Sequence, residues 1–182
     1  MARHRLWCGG AALLSLALPS GKAADPQPGG MAERIATLEN KLTAMTFDAT
    51  SNEVVVITGA NLRIVNGLEI TDTANGLGNL IVGYNESRSP AGLGPDNRTG
   101  SHNVVVGRFH NFSSFGGLVV GEGNEISGRF ASVSGGSGNT ASGVFSSISG
   151  GGTNAASGIA ASVSGGFLNT ADGPQASVCG GR

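Results

Sequence analysis

Four near-copies of a 15-residue unit close this chain: Gly128–Ser142 (GRFASVSGGSGNTAS), Gly143–Ser157 (GVFSSISGGGTNAAS), Gly158–Asp172 (GIAASVSGGFLNTAD) and the shortened Gly173–Arg182 (GPQASVCGGR). A short fixed period constrains the fold strongly. One unit of this size cannot bury its apolar side alone, so it must stack on its neighbours as one turn of a solenoid. A stack presents the same surface again and again, whereas catalysis needs a unique constellation of side chains. The expectation is therefore a rod rather than an enzyme.

The period extends upstream of the tidy copies. Asn79–Gly83 (NLIVG) recurs as Asn103–Gly107 (NVVVG) and Gly117–Gly121 (GLVVG), then as Ser-Val-Ser-Gly-Gly from Ser132 and its successors from Ser147, Ser162 and Ser177. The intervals between starts are 24, 14, 15, 15, 15 and 15 residues. The longest contains one turn plus a Gly/Pro-rich loop within Glu86–Thr99.

Period-two alternation within each unit predicts two short strands per turn. In the first, Val133, Ile148, Val163 and Val178 form an inward column. Ser132, Ser134, Ser147, Ser149, Ser162 and Ser164 point outward on either side. The glycine pair that follows permits a sharp bend. The second strand starts at Asn124, Asn139, Asn154 and Asn169, with Ile126, Ala141, Ala156 and Ala171 as its inward column. Asparagine suits such corners because it tolerates left-handed backbone and forms side-chain ladders between rungs. The column Phe115, Phe130, Phe145 reads as packing.

So little apolar area per ordered turn favours partner chains that bury more. An upstream segment offers a way to recruit them. In MAERIATLENKLTAM, Ile35 and Leu42 fall at heptad position a, and Met31, Leu38 and Met45 at d. Arg34 at g faces Glu39 at the following e, the pairing of a parallel bundle. Before it, Arg3, His4 and Arg5 precede a 13-residue apolar run, Leu6–Leu18, and then small residues. That pattern predicts an export signal over 1–24, cut after Ala23 or Ala24, and leaves no membrane span in the mature chain. Residues 25–30 form a Pro/Gly linker, 31–46 the coiled-coil helix and 47–78 a β-rich adaptor containing strands Val54–Ile57 and Leu62–Val65. The repeats occupy 79–182.

The strand motif Asn-x-Val-x-Gly at this spacing, clearest at Asn79–Gly83 and Asn103–Gly107, resembles the head repeats of trimeric autotransporter adhesins (the YadA-like head). The resemblance covers residues 79–182. It implies a left-handed parallel β-roll, three chains side by side as a homotrimer, and secretion or display on a bacterial cell surface. It also implies adhesion to a host or environmental surface without catalysis. Two departures stand out. The second apolar residue of the family's strand is replaced by Gly135, Gly150, Gly165 and Gly180. The stalk and membrane barrel expected of the family do not follow Arg182, which leaves either a fragment or a released product as the expectation.

Other chemistries have weak support. With a net charge of −1 and no basic run, nucleic acid is not an expected partner. The glycine-rich turns carry no acidic residue at calcium-binding positions. His102 and His110 lack Cys or His companions at ligand spacing, so no metal or other cofactor is expected. The Ser-x-Ser ranks support one alternative, a soluble secreted β-solenoid binding a regular ligand such as ice or a polysaccharide through rows of hydroxyls about 4.8 Å apart.

Overall fold

A computed structural model describes residues 30–48 and 54–182. The export signal and all of the linker except Gly30 lie outside the described residues. The described chain is mostly β with one short helix, and its backbone divides at Asn61 into two compact units.

The first unit holds helix α1 (Met31–Leu42) and an antiparallel pair, β1 (Met45–Asp48) with β2 (Val54–Ile57). Glu33 in the first turn and Lys41 in the last complement the helix dipole. The heptad reading carries the helix through Met45, but the helix stops at Leu42. Thr43 turns its hydroxyl back onto the Asn40 carbonyl at 2.9 Å, and Met45 enters β1 opposite Ile57. Strand pairing therefore takes the last seam residue. Met31, Ile35, Leu38 and Leu42 remain as an exposed apolar stripe.

The second unit is a parallel β-solenoid of about five turns of roughly 15 residues. Its first sheet comprises β3 (Leu80–Val82), β4 (Val104–Arg108), β6 (Leu118–Glu122), β8 (Ser132–Val133), β10 (Ser147–Ile148), β12 (Ser162–Val163) and β14 (Ser177–Val178). The second comprises β5 (Asn111–Phe112), β7 (Glu125–Ile126), β9 (Thr140–Ala141), β11 (Ala155–Ala156) and β13 (Thr170–Ala171). From β4 to β13 each turn contributes one strand to each sheet, β3 and β14 belong to the first sheet only, and every rung pairs in register with the next. Ser132 opposes Ser147, then Ser162, then Ser177, while Thr140 opposes Ala155, then Thr170.

The core is a narrow column between the sheets. Val105, Val119, Val133, Ile148 and Val163 enter from the first sheet, and Phe112, Ile126, Ala141, Ala156 and Ala171 from the second. Val178 is only half-buried because no rung follows it among the described residues. Second-sheet side chains shrink from Phe112 through Ile126 to alanine. First-sheet strands shorten in parallel, from five residues in β4 and β6 to two in β8 and beyond. A smaller inward payload is matched by a shorter strand.

Two glycine columns make this closeness possible. A Cβ on Gly128, Gly143 or Gly158 would run into the carbonyl of the equivalent glycine in the next rung. Gly136, Gly151 and Gly166 adopt φ of 82°, 82° and 86° at the bend, the left-handed region open to glycine at little cost.

The corner asparagines themselves are not left-handed. That backbone belongs to the residue before each one (Gly138, Thr153, Leu168) and to Phe130, Phe145, Ala160 and Gln175 at another corner. Leu62–Val65, expected as a strand, forms none. Asn66 closes an Asx turn on the Leu68 amide and bonds Thr73, which bends the chain, and Leu62 and Val65 stay exposed. A strand needs a neighbour for its backbone groups, and this turn removes the segment from a ladder.

Candidate functional site

A rigid polar spine holds the solenoid's outer surfaces in register. Asn124, Asn139 and Asn154 are buried at the entry to second-sheet strands, and Asn169 is half-buried. The Oδ1 of Asn124 accepts the Asn139 amide at 2.8 Å. Asn139 accepts the Asn154 amide at 2.9 Å, and Asn154 accepts that of Asn169 at 2.9 Å. Each Nδ2 donates to the carbonyl four residues back and to a carbonyl of the next rung. A second ladder stands at the entry to the first sheet, where Asn79 accepts the Asn103 amide and Asn103 accepts the Gly117 amide. The side-chain ladder was legible from the asparagine column; the second ladder, through Asn79 and Asn103, was not read from the sequence.

Period-two geometry on such a spine produces ordered outer faces. On the first sheet, Ser132, Ser147 and Ser162 are half-buried and point outward, while Ser134, Ser149 and Ser164 are exposed. The Ser162 hydroxyl donates to that of Ser177 at 3.1 Å. On earlier rungs the same outward positions hold aliphatics: Leu80, Val82, Val104, Val106, Leu118 and Val120. Leu80 is 42% exposed, Val82 53% and Val104 38%. Sequence reading placed the valine motifs in the strands but overlooked this outward stripe. The signal was present: in Leu-Val-Val or Val-Val-Val, alternation buries only the middle residue.

The inward columns named from the sequence lie between the two sheets, with Val133, Ile148, Val163, Ile126, Ala141, Ala156 and Ala171 buried. The phenylalanine column is divided. Phe115 is buried, whereas Phe130 and Phe145 stack with centroids 5.4 Å apart yet remain 40% and 58% exposed.

The loop inside the long interval packs against the second sheet. The Phe112 amide donates to the Asn97 carbonyl at 2.9 Å, and the Asn97 amide donates to Asn111 Oδ1 at 2.8 Å. Arg88 donates to the carbonyls of Leu93, Phe109, Gly123 and Asn124. Arg98 donates to those of Asn85, Glu86 and His110 and pairs with Asp96. Hydrogen bonds from the Ser87 hydroxyl and Arg88 amide, helped by nearby arginines, hold the Asp96 carboxyl below its ordinary value. These arginines anchor a loop.

A cleft of about 500 Å³ lies among Arg63, Asn66, Glu69, Thr71 and His102. Both ring nitrogens of His102 are engaged there, by the Asn66 amide and the Thr71 carbonyl. Among the described residues, no three His, Cys, Asp or Glu side chains gather to hold a metal ion, and no helix is long and apolar enough to cross a membrane. Comparison with known proteins returned no matching family model, no matching curated protein and no matching solved structure.

Proposed function

We propose that the chain is an exported, homotrimeric structural and adhesive module, with the solenoid as a head-like β-roll that acts without catalysis. The observation carrying this reading is the outward aliphatic stripe on β3, β4 and β6. Rows of aliphatics at rung spacing fit another surface of the same spacing, and an in-register copy of this chain supplies one. The exposed heptad stripe of α1 favours the same partner, because a helix this short is marginal alone. Secretion or display on a bacterial cell surface rests on the export-signal pattern, and adhesion to a host or environmental surface rests on the resemblance of the repeats.

The test is sedimentation equilibrium of the full chain after signal removal. A mass three times that of the monomer is expected. Val104→Glu combined with Leu118→Glu should yield monomers that keep the β circular-dichroism spectrum, since both side chains point out of the core. A monomeric unaltered chain rejects the assembly. Equal retention under flow of coated and bare beads on glycan- or protein-coated surfaces rejects adhesion.

One observation favours a second reading, a soluble secreted solenoid binding ice or a polysaccharide. The in-register pairing aligns Ser132, Ser147, Ser162 and Ser177 in a regular row of hydroxyls. Thermal hysteresis or glycan-array binding abolished by Ser147→Tyr would support it. A flat response in both assays removes it.

A further inference from the structure

The polar spine of the second sheet has one member that is not asparagine. At the rung before Asn124 stands His110, 1% exposed. Its imidazole repeats two bonds of the asparagine pattern. Nδ1 accepts the Asn124 amide at 3.2 Å, as Oδ1 does in later rungs. Nε2 donates to the Val106 carbonyl, four residues back, at 3.0 Å, as Nδ2 does from Asn124 to Val120. These partners require the neutral tautomer with its proton on Nε2, because an amide N–H faces Nδ1 and a carbonyl faces Nε2.

Asparagine performs this task at any ordinary pH, whereas histidine performs it only while neutral. A proton on Nδ1 would confront the Asn124 N–H, removing an acceptor from a buried donor. The surroundings offer the cation little compensation. Arg88 reaches the carbonyls on either side of the ring, at Phe109, Gly123 and Asn124, and Arg98 donates to the carbonyl of His110 itself. Nearby carboxylates have other positions: Asp96 pairs with Arg98, Glu122 pairs with Arg108 at 2.9 Å on the surface, and Glu125 points outward on β7.

We propose that His110 is an acid-sensitive joint, whose protonation opens the corner between β4 and β7 and releases the loop of residues 84–99 anchored there. Burial first, and the Arg88 charge with it, holds the imidazole below its ordinary 6.5 in the closed state despite its hydrogen bonds. The sign follows. Well above pH 6.5 the ring is neutral whether the corner is closed or open, and the joint holds fully. As the pH falls below 6.5 the open form binds a proton that the closed form resists, so opening becomes progressively more favourable. The loss levels off once the pH passes the depressed closed-state value. Acid thus weakens the N-terminal rungs, while the all-asparagine rungs lack this titration.

The experiment is amide hydrogen exchange on the full chain, corrected for intrinsic rates, under conditions where exchange reports the opening equilibrium. One pH unit below the open-state value, the opening constant at Asn124 should rise several-fold, with about tenfold as the ceiling. Protection at Asn154 should change far less. His110→Asn restores the column's residue and should make Asn124 insensitive to pH over the same range. Nitrogen chemical shifts of the His110 ring provide an independent readout should that variant fail to fold. They should show the Nε2-protonated tautomer at pH 7.5, and the ring should titrate below 6.5, where the loss of Asn124 protection levels off. Unchanged Asn124 protection down to pH 5, a folded His110→Asn variant with the same acid loss, or an Nδ1-protonated ring at pH 7.5 would each overturn the proposal.

Discussion

Ser146 occupies the position where neighbouring rungs carry Ala131 and Ala161, and its side chain points into the core. Its Oγ is buried without a hydrogen-bond partner. A hydroxyl stripped of water and left unpaired costs more than a methyl in the same place. Ser146→Ala should therefore stabilise the chain by about 1 kcal/mol, read as a higher urea midpoint at unchanged slope. The serines of the outer face should behave differently. Ser149 is exposed, and Ser149→Ala should leave the midpoint within about 0.5 kcal/mol of the starting chain. Residue type alone would have treated the two serines alike; their position in the alternation separates them.

Among structural elements, the asparagine spine links successive rungs wherever the core is thinnest. Asn154 donates to Asn139 Oδ1, Gly150 O and Gly166 O, and accepts from the amide and Nδ2 of Asn169. Asn154→Ala removes all these bonds in a buried setting and should cost roughly 3 kcal/mol, with several groups left unpaired at once. Guanidinium denaturation against the Ser149→Ala control measures it. The pattern explains why alanine suffices as the inward residue of β9, β11 and β13: side-chain hydrogen bonds supplement what a methyl contributes by burial. Helix α1 has no such support within its own unit. None of its residues is buried, so its apolar stripe is available to another surface.

For the solenoid as a whole, stability is approximately a sum over rungs and the interfaces between them. A rung in the middle touches two neighbours, and one at the end touches one. Ile148, fully buried between β8 and β12, should cost about 3 kcal/mol when changed to alanine, because the cavity weakens two interfaces. The half-buried Val178 of β14 should cost less than about 1 kcal/mol on the same change. Thermal unfolding of the two variants tests that gradient. Comparable losses would mean that the rungs do not behave as a linear array.

Much of the solenoid could be read from the linear chain because its information is local and repeated. A 15-residue period with an alternating Ser-Val-Ser strand, a glycine bend and an asparagine corner admits one simple stacking, parallel and in register. Features depending on contacts between distant residues could not be read this way. Leu62–Val65 has a strand's composition, but Asn66 turns the chain away. Met45 completes a heptad yet pairs with Ile57. His110, an isolated histidine in the sequence, acquires its place in the spine only when a 14-residue turn sets it beneath Asn124. The outward stripe of Leu80, Val104 and Leu118 is different, because alternation within each strand marks these residues as outward and register only aligns them into a row. Short-range periodicity specifies the rung, whereas closure of the chain on itself selects which side chains it seals from water and which it leaves facing out.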